Sequence, residues 1–110
     1  MRAMIQLFIL SSVVLCLVFP SVAQAQADSA KTFKTNCVLC HSANGSGDSA
    51  AGKALKAKDL RSAEVQKQTD VALAEVICKG KGKMPAFAAK IQPDDVKKLV
   101  AYLRDLAKTK

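Results

Sequence analysis

Large aromatic side chains are scarce in this chain of 110 residues, which has no tryptophan, one tyrosine and four phenylalanines. Aromatic residues bury the most apolar surface per side chain, and a small domain has little core to spare. The chain also has only one histidine, His41, so no second imidazole can come from the same chain. The sequence therefore predicts one small domain whose centre is filled partly by something other than its own side chains.

Long apolar runs are absent except for one at the start of the chain, over residues 5–19. This run is shorter than the roughly 20 apolar residues that cross a bilayer, which argues against a retained membrane anchor. Two overlapping small-x-small sites follow it, and they permit cleavage after Ala25 or Ala27. We expect residues 1–27 to be a cleaved secretory signal peptide, cut after Ala27, and residues 28–110 to be the mature domain.

Acidic residues are outnumbered by basic ones, 9 against 17, which gives a net charge of +8. Arg2 is the only charged residue before Asp28, so the expected mature chain carries +7. This excess predicts an acidic partner. Nucleic acid is the other common partner of a basic chain, but export and the lack of an aromatic-rich or helix-turn-helix signature argue against it.

No segment alternates apolar and polar residues over a useful length, so we predict an all-α fold without a sheet. Small and polar residues dominate 42–52, and two glycines and a proline interrupt 79–85, so both stretches are predicted loops. Helices are predicted from Asp28 or Ser29 to about Asn36, over 51–58, from Thr69 or Asp70 to Lys79 with Gly80 as a left-handed cap, and from Pro93 through Leu106.

The cysteines of the expected mature chain are odd in number, Cys37, Cys40 and Cys78, which does not suit a disulfide framework. Residues 37–41 read Cys-Val-Leu-Cys-His, the Cys-x-x-Cys-His pattern of covalent haem attachment. Thiols three residues apart on a helical turn point to the same side, so both can reach one porphyrin edge while His41 binds the iron. We therefore predict one covalently bound haem c, attached through Cys37 and Cys40.

Three other interpretations of this motif are weaker. A thioredoxin-like redox pair needs a strand-helix setting, which the sequence does not predict. A zinc site needs a fourth ligand, and Cys78 stands alone. A disulfide between Cys37 and Cys40 would leave the histidine without a role. For Cys78 itself we expect an inert buried thiol, with disulfide dimerisation and redox sensing as alternatives.

Met84 is the only methionine that remains once Met1 and Met4 are removed with the signal peptide. It lies between two glycines and Pro85, in a loop that can approach the iron opposite His41. Filling of an apolar gap is the alternative role for a methionine. We predict that His41 and Met84 are the axial iron ligands, a closed pair that favours outer-sphere electron transfer over substrate chemistry.

From Phe33 to Leu106 the chain resembles the class I cytochromes c, especially small bacterial forms and the related photosynthetic lumenal cytochromes. The resemblance rests on residues 37–41, on 80–87 (Gly-Lys-Gly-Lys-Met-Pro-Ala-Phe) and on 99–104 (Leu-Val-Ala-Tyr-Leu-Arg). It implies a small cytochrome c fold, with three to five short helices wrapped around one covalent haem. It also implies that the first and last helices cross, with Phe33 against Tyr102 and Leu103.

Two positions depart from the family pattern. A glycine that is common at the helix crossing is replaced by Ser29, which predicts looser packing there. Many members have a proline whose carbonyl accepts the second ring proton of the histidine, and none lies between His41 and Pro85. We expect a carbonyl within residues 50–55 to take that role.

These observations predict a monomeric, non-enzymatic electron carrier in the bacterial periplasm, with the thylakoid lumen as the alternative location. Its partners would be acidic redox proteins, in solution or bound to a membrane. The resemblance puts an exposed haem edge near four lysines that would steer docking, or else form a solvated charge run: Lys79, Lys81, Lys83 and Lys90. A haem enzyme or gas sensor with an open iron site is the rival function, and a structural or zinc-binding exported domain is a second rival.

Overall fold

A computed structural model describes residues 20–109 of the chain, and the apolar run at 5–19 lies outside the described residues. The described part is all-α and contains no β-strand. Four of its helices are longer than a single turn and two are single turns of four residues, which fits the small cytochrome c fold that the sequence predicts. In chain order the helices are α1 (Pro20–Asn36), α2 (Val38–His41), α3 (Ala50–Leu55), α4 (Ala63–Gln66), α5 (Asp70–Lys79) and α6 (Pro93–Lys108).

Side-chain caps define where the short helices begin. Ser49 accepts a hydrogen bond from the amide of Gly52, Ser62 accepts one from Val65, and Thr69 accepts one from Ala72. Each hydroxyl satisfies a backbone amide that has no partner within its helix. The fold therefore starts α3, α4 and α5 at fixed positions, although α3 and α4 are too short to be stable alone.

The core lies where α1 crosses α6. Phe33 of α1 is 1% exposed, and its ring centroid lies 5.4 Å from that of Tyr102 in α6, so this predicted contact is confirmed. Ser29 is also buried at this crossing, and its hydroxyl donates to the carbonyl of Ala25 at 2.9 Å. The remaining buried apolar side chains are Val65, Leu73, Ile77, Ile91, Val96, Leu99, Val100 and Leu103.

Several predicted boundaries were wrong. Helix α1 begins eight residues before Asp28, because alanine and glutamine dominate residues 22–27 and both favour helix. Both expected cleavage sites therefore lie within α1. Helix α3 ends at Leu55, three residues early, because Lys56 adopts a left-handed conformation with φ 57° and ψ 44°. No helix within residues 20–109 combines the length and the apolar character needed to cross a bilayer.

Two further boundary predictions need correction. The predicted loop at 42–52 ends at Ser49, because the Ser49 cap starts α3 and places Gly52 inside that helix. Gly80 ends α5 as predicted, but its ψ of 170° differs from that of a left-handed helical cap. The chain therefore leaves α5 in an extended direction.

Candidate haem site

Residues 37–41 form a single turn that continues directly from α1. The amide of Cys37 donates to the carbonyl of Phe33 at 2.8 Å, and the amide of His41 donates to the carbonyl of Cys37 at 2.9 Å. Cys37 and Cys40 are both half-buried, whereas Leu39 between them is 77% exposed. Cys37 and Val38 pack against the core, so the turn faces inward at these residues and outward at Leu39.

Three of the four predicted site residues meet in one cleft. Cys37 and His41 line it from the turn, and Met84 lines it from the loop after α5. The cleft has a cavity volume of about 60 Å³ and is partly open to solvent. Cys40 does not line the cleft, although it lies in the same turn as Cys37. All other lining side chains are apolar: Phe33, Leu60, Leu73, Val76, Ile77, Phe87, Leu99 and Leu103.

The imidazole of His41 has a fixed orientation. Its Nδ1 lies 3.0 Å from the backbone carbonyl oxygen of Lys58. A carbonyl can only accept, so Nδ1 carries the proton and Nε2 keeps the lone pair that binds a metal ion. The expectation that a carbonyl within residues 50–55 would take this role was wrong, because the left-handed residue Lys56 turns the chain so that the following segment passes the ring.

A tight turn holds Met84 at the cleft. Lys81 and Met84 exchange two backbone hydrogen bonds, of 3.1 and 3.0 Å. Gly80 begins this turn with φ +76°, and a Cβ at this position would lie 2.5 Å from the carbonyl oxygen of Met84. Only glycine is free of strain there. After the turn, the amides of Phe87 and Ala88 donate to carbonyls near the end of α5, which closes a loop over residues 80–86 that we call the methionine loop.

The thiols are not paired in the described part of the chain. Cys37, Cys40 and Cys78 form no disulfide with one another, and no three histidine, cysteine or acidic side chains among residues 20–109 converge on a possible metal site. Burial, together with the nearby Cys40, raises the pKa of the Cys37 thiol to about 11. Cys78 is half-buried and packs against the core. The Cys37 thiol thus lies in surroundings that disfavour a free thiolate.

The four lysines near the methionine loop differ in their surroundings. Lys79 forms an ion pair with Glu75 at 2.6 Å, so part of its charge is offset. Lys81 and Lys83 are exposed on the loop itself. The ammonium group of Lys90 lies 5.9 Å from the centroid of the Phe87 ring, which lines the cleft. Of these four charges, that of Lys90 is the one placed against a side chain that lines the cleft.

Comparison with known proteins identifies the family. A family profile described as "Cytochrome C oxidase, cbb3-type, subunit III" matches residues 24–103. The cytochrome c6 of Leptolyngbya boryana is 35% identical over 77 residues, 70% of this chain and 87% of the relative. The cytochrome c6 of Gloeothece citriformis is 31% identical over 107 residues, 90% of this chain and 94% of the relative.

A solved structure, the KustC0563 c-type cytochrome, superposes with a TM-score of 0.65 at 31% identity, over 71% of this chain and 95% of that one. The chain is a class I c-type cytochrome. Membership of this family makes it an electron-carrying protein with one covalently bound haem c.

The residues that line the cleft are chemically suited to hold haem c. The cleft combines an imidazole with a free Nε2, a thioether and a thiol with walls that are otherwise apolar, as a porphyrin requires. Sequence reasoning identified these side chains but missed the Lys58 carbonyl. No sequence signal marks that acceptor, because every residue has a backbone carbonyl.

Proposed function

We propose that Cys37 and Cys40 attach the haem through thioether bonds and that His41 and Met84 are its axial iron ligands. One observation carries this proposal: His41 and Met84 line the same apolar cleft, and the Nδ1 bond to Lys58 leaves Nε2 of His41 free. Cys40 lies one residue before His41 in the attachment turn. A second thioether bond there requires only that its side chain turn toward the porphyrin edge.

Haem c, when bound, supplies a one-electron exchange between ferric and ferrous iron. Two protein ligands would leave no site for oxygen or a substrate, so the protein acts as a carrier and not as an enzyme. The neutral, soft thioether of Met84 favours the ferrous form relative to a second imidazole. The apolar walls would exclude water from the porphyrin faces, and the haem held by these residues would supply outer-sphere electron transfer.

Replacement of Met84 tests the ligand assignment. Ferric protein with a thioether-iron bond has a weak absorption band at the red edge of its visible spectrum, and we expect Met84→Ala to abolish it. Cys78→Ser is the matched control and should keep the band. Cys78 is also a half-buried residue that contains sulfur, but it is not assigned to the haem. Retention of the band in Met84→Ala would contradict the assignment of Met84, whereas its absence from the ferric wild-type protein would favour the rival function, a haem enzyme or gas sensor with an open site.

We further propose that the protein is a monomer exported to the bacterial periplasm, where it exchanges electrons with acidic redox proteins. The net positive charge and the exposed lysines of the methionine loop support an acidic partner. Such encounters bury little surface and are short-lived. The apolar run at 5–19, followed by small-x-small sites, supports export with cleavage after Ala27.

The mass of the exported protein tests the processing. We expect the mass of residues 28–110 plus one haem, in the periplasmic fraction of a host that can mature c-type cytochromes. A mass that includes residues 1–27, or a protein held in the membrane fraction, would contradict cleavage. A mass without haem would contradict attachment through Cys37 and Cys40.

A further inference from the structure

The carbonyl that accepts the His41 proton belongs to an irregular stretch over residues 57–60, which we call the acceptor segment. Its last residue, Leu60, donates its amide to the carbonyl of Gly45 at 2.8 Å. The side chain of Leu60 also lines the cleft. The acceptor segment therefore meets the site at two points, the Lys58 carbonyl and the Leu60 side chain.

Gly47 packs against one side of the acceptor segment. It has φ +73°, and a Cβ at this position would lie 2.8 Å from the carbonyl oxygen of Ala57 and 3.2 Å from that of Lys58. The segment therefore cannot move toward Gly47 without a backbone collision. The amide of Ala57 also donates to the carbonyl of Gly52 at 2.8 Å, so further restraints on the segment act together with these contacts to set where the Lys58 carbonyl lies.

Gln66 of α4 supplies a further restraint on the acceptor segment. Its Nε2 donates to the carbonyl of Leu60 at 2.7 Å and, more weakly, to the carbonyl of Leu103 at 3.4 Å. Its Oε1 accepts from Nη1 of Arg104 at 3.2 Å. A guanidinium group only donates, so the oxygen of the Gln66 amide must face Arg104 and the nitrogen must face the two carbonyls. The amide orientation is thus fixed by its partners.

Arg104 is itself held firmly in α6. It donates to the carbonyls of Gln66 and Gln68 at 2.8 and 2.6 Å and to the carboxylate of Asp70 at 2.8 Å. Its side chain is 24% exposed. Because these partners fix the guanidinium group, the hydrogen-bonded chain from α6 through Gln66 ends on the acceptor segment, two residues from Lys58.

We propose that Gln66 is a positioning residue for His41, which it orients through the acceptor segment. This inference rests on the proposed binding of iron by His41. A strong bond from Nδ1–H to a carbonyl makes the imidazole a better electron donor and stabilises the ferric form. Loss of the Gln66 bond to Leu60 removes one of the restraints on the segment, weakens the bond to Lys58 and raises the reduction potential.

Two variants and a matched control test this role. Gln66→Leu and Gln66→Met keep most of the side-chain volume but remove the donor to Leu60. Gln68→Leu is the control, because the Gln68 side chain donates only to the nearby carbonyl of Glu64, at 3.3 Å. The haem-loaded proteins are compared by redox titration and by NMR exchange of the His41 Nδ1 proton in the ferrous state.

We expect both Gln66 variants to take up haem, to titrate at a higher potential than wild type and to exchange the Nδ1 proton about tenfold faster. Gln68→Leu should match wild type in both measurements. An unchanged potential and exchange rate in both Gln66 variants, with only lower stability, would reduce Gln66 to structural support. Failure of both variants to bind haem would make it a folding residue and would equally overturn the proposal.

The wild-type spectrum separates this failure from failure of the proposed function. Wild-type protein that lacks a low-spin, histidine-ligated haem would contradict the assignment of His41. An intact wild-type spectrum with unshifted Gln66 variants would contradict only the positioning role.

Discussion

The rings of Phe33 and Tyr102 lie 5.4 Å apart with an interplanar angle of 50°, and they join the first described helix to the last. Phe33 is almost fully buried and also lines the cleft, so the contact serves both the core and the site. Tilted aromatic pairs at this separation attract each other beyond the effect of burial alone. Helices from the two ends of the described chain thus form one wall of the site.

Removal of the Phe33 ring should destabilise the folded protein strongly. We expect Phe33→Ala to lower the free energy of unfolding of the haem-loaded protein by about 3–5 kcal/mol, because it leaves a cavity at the helix crossing. Denaturant titration followed by circular dichroism measures the change. Val71→Ala is the control, since Val71 is 78% exposed on α5, and its effect should stay within about 0.5 kcal/mol. Equal effects of the two substitutions would contradict the assigned core.

The two glycines of the methionine loop should differ in their tolerance of a side chain. Gly80→Ala places a Cβ against the carbonyl of Met84 and the backbone of Pro85, so we expect it to displace the thioether and abolish the red-edge ferric band. Gly82 also has a positive φ, but a Cβ at this position would meet nothing within 4 Å, so Gly82→Ala is the matched control. It should keep the band. A Gly80→Ala protein with an unaltered band would show that Met84 is not held by this turn.

Acid should weaken the loop that follows the haem motif. The hydroxyl of Ser42 donates to Asp48 at 2.7 Å, and this bond, with a second from Ser46, holds the pKa of the Asp48 carboxyl below its ordinary value. A lowered pKa in the folded protein means that the stabilisation is present above about pH 4, the unfolded value, and disappears as the pH falls through the lowered pKa.

Asp48→Asn should therefore flatten the dependence of the unfolding free energy on pH below about pH 4. Ser42→Ala should do the same, because it removes the main donor to the carboxylate. Denaturant titrations of the haem-loaded proteins across this range measure both slopes. Wild-type slopes in both variants would refute the assigned role of this hydrogen bond.

Charge reversal on the methionine loop should slow association with an acidic redox partner. Lys81 and Lys83 are exposed on the loop whose Met84 lines the cleft, and steering of this kind raises association rates by roughly tenfold to a thousandfold at low salt. We expect the double variant Lys81→Glu/Lys83→Glu to lose most of that enhancement in stopped-flow electron transfer, with a smaller dependence on ionic strength.

Lys97→Glu is the matched control, because Lys97 is 79% exposed on α6 and pairs with Asp94 away from the methionine loop in sequence. It should leave most of the rate enhancement in place. A rate that does not vary with salt in the wild-type protein would remove steering altogether.

Much of the fold follows from local sequence signals. The period of apolar residues in α6 and the Pro93 start predicted the strongest helix, and both agree with the structure. The sequence also predicted that Thr69 or Asp70 caps α5, and Thr69 is the cap in the structure. The start of α1 was mispredicted because the polar residue Asp28 looked like a cap, whereas the alanines and glutamines before it continue the helix.

The candidate site, like the fold, could be predicted from the sequence only in part. His41 and Met84 could be selected as candidate ligands because each is the only residue of its type in the expected mature chain, and the structure places both at one cleft. The sequence could not identify the Lys58 carbonyl as the partner of His41, or the hydrogen bond from Gln66 to Leu60. Both depend on how segments that are not adjacent in the chain pack together. Gln66 and Arg104, for example, are separated by 38 positions and meet only once α4 packs near α6.

Both ends of the methionine loop are fixed to α5, through the amide of Gly80 at its start and those of Phe87 and Ala88 just beyond its end. The span between these anchors is therefore set by the helix and not by the residues in between. A transplanted segment of equal length should close the same gap without disturbing the helical scaffold. The methionine loop could thus be replaced as a unit, which would change the residue at the position of Met84, the proposed sixth ligand, and the surrounding charge, while residues 37–41 stay unchanged.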